Sequence, residues 1–171
     1  MANNKEKSLK NKEGQREQGV YISKEINLDI SKLESEFYRA DIELHNVDHS
    51  GPSYEGRVFL NNSNANHKTE LTLANGYVGS YNIFGHGGCF GEVGHCDVPT
   101  ERRMYEYRSS HHLKPQYKRI IITDALKKLG KKTTKFVVTV VPVIPGKPVE
   151  ETKSLIKEIV KFEKIGIITY D

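Results

Sequence analysis

The sequence predicts an all-β protein: an antiparallel β-sandwich of about seven short strands, jelly-roll or immunoglobulin-like, with one short helix. Three observations predict this fold class. Short runs of alternating or β-branched residues recur along the chain. Turn signals such as Gly-Pro, Asn-Gly and an Asn-rich stretch separate these runs. Only one segment has the caps of a helix, which is too little helix for a parallel α/β sheet.

The length of the chain fits one domain with a tail. Its 171 residues lie within the usual range of about 100–200 residues per domain. Residues 1–19 consist largely of Asn, Lys, Glu, Gln and Ser, and such a stretch cannot bury enough apolar surface to offset its ordering entropy. We therefore expect a disordered polar tail over 1–19 and a β-sandwich domain over 20–171.

Composition and charge restrict the classes of partner. The chain carries 26 basic and 22 acidic residues, a net charge of +4, and its lysines are interleaved with glutamates. This pattern favours a solvated surface over the clustered basic stripe of a nucleic-acid binder. The sequence lacks both the run of roughly 18 apolar residues that a membrane helix needs and the apolar core of a secretory signal. We therefore expect a cytoplasmic protein that binds neither nucleic acid nor a membrane.

Several segments have the pattern of strands. Alternation of apolar and polar residues identifies half-buried strands, and a high content of β-branched residues identifies more buried ones. The predicted strands cover residues 20–26, 36–47, 55–60, 77–84, 117–122, 135–141 and 159–169. In the third of these, Val58 and Leu60 face one side of the sheet, and Arg57 and Phe59 face the other.

The segments between the strands predict a helix and connections. Thr123 and Asp124 can cap a short helix over 125–129, and Gly130 stands where a glycine commonly ends a helix. The proline-rich stretch 142–148 predicts a rigid connection that leads to a polar crossover before the last strand.

A charged and aromatic segment over 100–115 has no clean period, so we interpret it as a long ordered loop, a type of segment that often carries function. His111 and His112 are neighbours in it and would point to opposite faces of an extended chain, which argues against their binding one ion. His45 and His49 flank the end of a predicted strand, from which they could approach the glycine-rich loop that follows residue 84.

That glycine-rich loop, over 85–99, is the part of the sequence richest in chemistry. It contains both cysteines of the chain and two of its seven histidines. His86, Cys89, His95 and Cys96 are a candidate metal set, because zinc takes tetrahedral Cys₂His₂ ligands and copper(I) favours thiolates. A disulfide and inert buried thiols are the alternatives, and a reducing compartment argues against a structural disulfide.

No motif identifies a catalytic centre. The chain has no Gly-x-Ser-x-Gly, phosphate-binding loop, His-Glu-x-x-His or dinucleotide fingerprint. Cys89 or Cys96 beside a histidine could act as a nucleophile, so a small hydrolase or redox enzyme is a further hypothesis. We interpret Asp41, Glu43 and Asp48 as charges on the surface of a strand.

Four motifs, in this order, resemble a known protein family. They are Gly-Arg-Val-Phe-Leu-Asn-Asn at 56–62, Gly-Tyr-Val-Gly-Ser-Tyr at 76–81, Ile-Thr-Asp-Ala-Leu at 122–126 and Val-Val-Thr-Val-Val-Pro at 137–142. This order is similar to that in the C-terminal β-sandwich domain of tyrosinases, catechol oxidases and molluscan hemocyanins, the type 3 copper proteins. The resemblance implies a fold of the kind that the strand pattern predicts.

The resemblance also implies an accessory role. In the family this domain covers a binuclear copper centre that belongs to a separate, mainly helical domain, and this chain has neither those helices nor that spacing of histidines. We therefore expect a non-catalytic protein that covers, assembles or helps to metallate a tyrosinase-like copper oxidase. Some fungal relatives carry a cysteine pair thought to help load copper, which extends the implied role to Cys89 and Cys96.

Two further expectations concern metals and partners. The alternative function is a stand-alone zinc or copper protein that uses the Cys/His loop over 86–96. The apolar strand over 135–141 and the edges of the predicted sandwich are compatible with a homo-oligomer.

Overall fold

Antiparallel sheets face each other in the computed structural model of the chain. The structure describes residues 19–29, 37–85, 104–105, 114–129, 133–146 and 159–171. The strands are β1 Tyr21–Ile22, β2 Ile26–Asn27, β3 Arg39–Val47, β4 Tyr54–Leu60, β5 Tyr77–Ile83, β6 Gln116–Ile121, β7 Lys135–Phe136, β8 Val138–Val143 and β9 Lys164–Tyr170. The described helices are a one-turn 3₁₀ helix, Leu73–Asn75, and an α-helix, α1 Thr123–Leu129.

The strands form three sheets. A four-stranded sheet has the order β1-β8-β4-β5, a three-stranded sheet has the order β6-β3-β9, and β2 pairs with β7. Each of these pairings is antiparallel. The main core combines buried residues of the larger sheets, such as Ile42 of β3, Val58 of β4 and Val140 of β8, with Leu126 of α1. The predicted all-β antiparallel sandwich is therefore confirmed.

A second, smaller core lies on the other side of the four-stranded sheet. Its buried members are Val20, Phe59, Ala65 and Val141. Phe59 thus points away from Val58 and Leu60, which belong to the main core. The predicted division of β4 between two faces is confirmed for these three residues, and both faces of this strand are covered.

Two predicted strands are divided in the structure. Residues 135–141 belong to β7 and β8, which are separated at Val137. There the N–H of Val137 donates to the side-chain oxygen of Asn61 at 2.9 Å, and the N–H of Asn61 donates to the carbonyl of Val137 at 2.8 Å. Residues 20–26 likewise divide between β1 and β2. Each segment therefore contributes one strand to the four-stranded sheet and one strand to the two-stranded sheet.

The ends of β8 and β9 also differ from the prediction. β8 continues through Pro142 to Val143, although the proline predicted a connection. A proline is tolerated there because β1 pairs with β8 only as far as Val140, so no described strand requires an N–H from Pro142 on that side. β9 begins at Lys164 instead of residue 159: Ile159, Val160 and Phe162 belong to the main core but lie before the paired residues of the ladder.

The helix α1 docks on β3 at its first residue. It begins at Thr123, which the sequence assigned to the cap. The Thr123 hydroxyl accepts a hydrogen bond from the N–H of Ala40 at 3.0 Å, and the N–H of Ile122 donates to the Ala40 carbonyl at 2.7 Å. In the part of the chain that the structure describes, no helix is long and apolar enough to span a membrane.

Candidate functional site

The predicted metal-binding loop lies outside the described residues. Its four candidate ligands are His86, Cys89, His95 and Cys96. The neighbouring predicted loop over 100–115 is described only at 104–105 and 114–115. Among the described residues, no group of three or more His, Cys, Asp or Glu could hold a metal ion. The metal site therefore stays a prediction from the sequence.

The turn between β3 and β4 contacts both flanks of the stretch that contains these loops. The N–H of Gly85 donates to Ser53 Oγ at 3.0 Å, and a Cβ at position 85 would lie 2.1 Å from the carbonyl oxygen of Gly51. His49, which is buried, donates from Nε2 to the carbonyl of Lys114 at 2.7 Å. Residues 85 and 114 therefore meet the same turn, and a glycine at 85 allows the close approach.

The second feature is the outer face of the three-stranded sheet, the face that points away from the main core. This outer face includes Arg39, Asp41, Glu43, His45, Tyr117, Arg119, Ile121, Lys164, Gly166, Ile168 and Tyr170. In the strand register, Asp41 of β3 stands between Ile121 of β6 and Ile168 of β9. Alternation along each strand puts these side chains on one side of the sheet.

Asp41 is completely buried on this outer face, with an exposed fraction of 0%. Arg39 Nε lies 2.9 Å from Oδ1 and 3.0 Å from Oδ2 of the carboxylate, and Arg119 Nε lies 3.2 Å from Oδ2. The two arginine side chains therefore cover the carboxylate and neutralise it. Burial of a charged group requires such pairing.

Glu43 is the second buried carboxylate, with 5% of its surface exposed. Its Oε1 accepts hydrogen bonds from the Tyr170 hydroxyl at 2.9 Å and from Arg119 Nη2 at 3.1 Å, and its Oε2 lies 3.3 Å from His45 Nε2. Burial raises the pKa of Glu43, but tyrosine hydrogen bonds and neighbouring positive charges outweigh it. The pKa of Glu43 therefore lies below its ordinary value.

The tyrosines around Glu43 remain hydrogen-bond donors. The hydrogen bond to Glu43 raises the pKa of the Tyr170 phenol, and burial adds to this effect. Burial raises the pKa of the Tyr117 phenol, and a hydrogen bond to Glu43 raises it further. Both phenols therefore stay protonated at neutral pH, and the Tyr170 hydroxyl donates to a carboxylate that stays ionised.

Aromatic rings hold the two arginines in place. The Cζ of Arg119 lies 5.4 Å from the ring centroid of Tyr117 and 5.9 Å from that of Tyr170. The Cζ of Arg39 also lies 5.9 Å from the Tyr170 ring. Such distances permit cation–π attraction. With the Glu43 carboxylate ionised and the phenols protonated, Glu43, Tyr117 and Tyr170 do not form an acid–base pair that titrates near neutral pH.

The interpretation of Asp41 and Glu43 as charges on a strand surface is wrong, because side chains from neighbouring strands cover them. Part of the signal was present in the sequence, since an arginine, two carboxylates and a histidine alternate along one strand. The covering residues Arg119 and Tyr170 come from other strands, and only the register shows where they meet β3. His45 belongs to this outer face, whereas His49 lies in the turn that contacts the flanks of the loops.

Comparison with solved structures identifies the fold. The latent aurone synthase (polyphenol oxidase) from a natural source matches with a TM-score of 0.51 at 12% identity over 92% of this chain and 25% of that chain. The recombinantly expressed latent enzyme matches with a TM-score of 0.48 at 12% identity over 91% of this chain and 25% of that chain.

The extent of these matches limits what they show. No model of a protein family matches the sequence. A sequence search among curated proteins also finds no match. The chain spans about a quarter of the length of the aurone synthase chains. At this identity the match shows a shared fold: this chain has the β-rich fold of one region of a polyphenol oxidase.

Proposed function

We propose that the chain is a non-catalytic accessory β-sandwich that covers, assembles or helps to metallate a tyrosinase-like type 3 copper oxidase. The observation that carries the proposal is the fold shared with a quarter of the natural latent aurone synthase, a polyphenol oxidase. A domain that covers the active site is one means of keeping an oxidase latent. The 171 residues span about a quarter of that enzyme chain, and in this proposal the copper centre lies outside them.

The side chains of the described residues bear on where the copper centre of this proposal lies. No cluster of three or more metal-binding side chains occurs among them. The helix α1, Thr123–Leu129, is one short helix and cannot form a bundle that presents histidines. The residues of the described part of the chain therefore do not fit a binuclear copper centre, and in this proposal the partner would carry out the oxidation chemistry.

The outer face of the three-stranded sheet is the surface that we assign to the partner. Its apolar residues Ile121 and Ile168 are 61% and 38% exposed, and Tyr117 is exposed beside them. Arginine and tyrosine are enriched among the residues that dominate binding energy in protein interfaces. Exposed isoleucines next to fixed arginines give this surface the composition of an interface centre.

A binding experiment tests this function. The purified chain is mixed with a purified tyrosinase-like oxidase from the same source organism, and co-elution and diphenol oxidation are measured. We expect co-elution and a changed oxidation rate. The variant Ile121→Glu should weaken binding about tenfold or more, since it places a charge at the interface centre.

The matched control is Leu71→Glu, which changes another exposed apolar residue, 44% exposed, on the stretch between β4 and β5. This variant should bind as the wild-type chain does. Absence of binding by the folded wild-type chain, or equal weakening in both variants, contradicts the proposed function.

The alternative function, a stand-alone zinc or copper protein, is supported by the turn that contacts both Gly85 and Lys114. Contacts that bring the flanks of a loop to one turn reduce the entropy lost when its side chains converge on an ion. Metal analysis of protein purified under reducing conditions tests it. Cys89→Ser should lower the bound metal, whereas His67→Ala, outside the loop, should not. A wild-type protein free of metal contradicts this alternative.

A further inference from the structure

The two arginines of the outer face share one carboxylate. Both place Nε next to Asp41, Arg39 at 2.9 Å from Oδ1 and Arg119 at 3.2 Å from Oδ2. Since Asp41 is buried and the arginine side chains are 33% and 41% exposed, the guanidinium groups form the outer layer above it. A molecule that approaches this face therefore meets positive groups before it meets the carboxylates.

Part of each guanidinium group makes no hydrogen bond within the described part of the chain. In the described residues, Arg39 hydrogen-bonds only through Nε, to Asp41. Arg119 uses Nε and Nη2, with Tyr117 and Glu43 as acceptors. Both Nη atoms of Arg39 and Nη1 of Arg119 thus have no acceptor among the residues that the structure describes. These nitrogens are donors that suit a planar anion.

The guanidinium groups of Arg39 and Arg119 are also held in position before a ligand binds. The ring of Tyr170 lies 5.9 Å from the Cζ atoms of both Arg39 and Arg119, and the shared Asp41 restrains their Nε atoms. A guanidinium group held by stacking and by an ion pair loses little further entropy when it binds a ligand. Surface arginines that serve only solubility need no such restraint.

The flanks of the pair are apolar. Ile121 and Ile168 stand on either side of Asp41 in the strand register, and both are exposed. A ligand that uses the arginines therefore also meets an aliphatic side chain on each side. A small inorganic anion would leave these side chains in water, whereas a protein segment with apolar residues next to its acidic residue would cover them.

We infer that Arg39 and Arg119 together bind the carboxylate of an acidic residue on a partner protein, with Ile121 and Ile168 contacting the apolar residues beside it. Charge complementarity carries this choice of occupant: the outward groups are cationic, and their acidic counterparts lie beneath them. The inference does not depend on the partner being an oxidase, so it can hold even where the proposed function fails.

An NMR titration of the full ¹⁵N-labelled chain tests this inference through the side-chain Nε–H signals of its arginines. The probe is a capped Leu-Glu-Glu-Leu peptide, and the reference is capped Leu-Gln-Gln-Leu at equal ionic strength. We expect the signals of Arg39 and Arg119 to shift saturably with the acidic peptide alone. The signal of Arg57, which pairs with Glu55 on the other sheet at 3.0 Å, should not shift.

Two variants separate binding from folding. Arg39→Lys and Arg119→Lys keep a cation above Asp41 but lose the planar fork, so the chain should fold while its affinity for the peptide falls about tenfold. Arg57→Lys is the matched control and should bind as the wild-type chain does. Unfolding curves verify that each variant is folded.

Several outcomes overturn the inference. One is the absence of a saturable shift at Arg39 and Arg119 in the folded wild-type chain. A response to the glutamine peptide equal to that of the acidic peptide also overturns it. Equal shifts with inorganic sulfate, at the same affinity as the acidic peptide, would show that the isoleucines contribute nothing and that no protein segment is selected.

Discussion

The Tyr170 hydroxyl donates to Glu43 at 2.9 Å and so connects the last strand, β9, to the middle strand, β3, on the outer face. In the register of these strands, Glu43 stands opposite Gly166, which has no side chain to cover it, while Tyr170 stands opposite Arg39. The Tyr170 side chain therefore extends along the sheet and covers the Glu43 carboxylate, which Gly166 leaves uncovered.

Replacing Tyr170 by phenylalanine should remove this hydrogen bond and keep the ring. We expect Tyr170→Phe to lower the Tm by about 2–4 °C, because the buried Glu43 carboxylate loses a donor. The control is Tyr38→Phe: the Tyr38 ring lies 6.4 Å from that of Tyr170, and its hydroxyl makes no hydrogen bond within the described residues. Thermal unfolding monitored by circular dichroism measures both. Equal changes in the two variants would contradict the role of the hydroxyl.

Glu43 should make stability depend on pH in the acid range. Its pKa is lower in the folded chain than in the unfolded chain, where a glutamate titrates near about 4.3. A depressed pKa contributes stability that is present above the unfolded value and is lost as the pH falls through the folded value. The difference in unfolding free energy between the wild type and Glu43→Gln should therefore be largest near neutral pH and shrink below about pH 4.5.

Urea unfolding across a series of pH values measures this difference. Glu55→Gln is the comparison, since Glu55 also pairs with an arginine, Arg57 at 3.0 Å, but on a more exposed site. The effect of Glu55→Gln should be the smaller one at neutral pH. If the difference in unfolding free energy between the wild type and Glu43→Gln stays constant from neutral to acid pH, the ionisation of Glu43 does not contribute to stability.

The sequence predicted the strands of the outer face but not its chemistry, and the reason is distance along the chain. Alternation of Arg39, Asp41 and Glu43 is a local property, and it identifies β3. Whether a carboxylate on that strand is solvated or covered depends on Arg119 and Tyr170, whose positions follow from strand order and register. The alternation of residues along one strand does not show the strand order or the register.

The same limit explains the errors in strand boundaries. The run 135–141 has five β-branched residues in seven and gives no local sign of an interruption. Its division at Val137 arises from hydrogen bonds with Asn61, which is 76 residues away in the sequence. The glycine-rich loop over 85–99 could be recognised by composition, but convergence of its thiols and imidazoles is a three-dimensional property that no spacing rule provides.

Gly56 should not tolerate a side chain. It stands opposite Tyr81 in the pairing of β4 with β5, and a Cβ at position 56 would lie 2.4 Å from the Cζ of Tyr81. That ring cannot move aside, because it is buried and contacts Tyr54 edge to face. We expect Gly56→Ala to lower the free energy of unfolding by about 1–3 kcal/mol.

The matched control is Gly166→Ala in β9, where a Cβ would meet nothing within 4 Å. That variant should change the free energy of unfolding by no more than about 0.5 kcal/mol. Urea unfolding measures both variants. A small effect at position 56, comparable to that at 166, would mean that the contact between Gly56 and Tyr81 is not tight.

The hydroxyl of Thr139 should destabilise the protein. Thr139 is completely buried opposite Phe59, and its Oγ1 has no hydrogen-bond partner among the described residues. An unpaired buried hydroxyl costs about 1–3 kcal/mol, so Thr139→Val should raise the free energy of unfolding by about 1 kcal/mol. Thr123→Val is the matched control and should lower it by about 1 kcal/mol, because the Thr123 hydroxyl accepts the N–H of Ala40. If Thr139→Val raises the free energy of unfolding and Thr123→Val lowers it, the pairing of each hydroxyl decides the effect. If both variants lower it, the Thr139 hydroxyl has a partner.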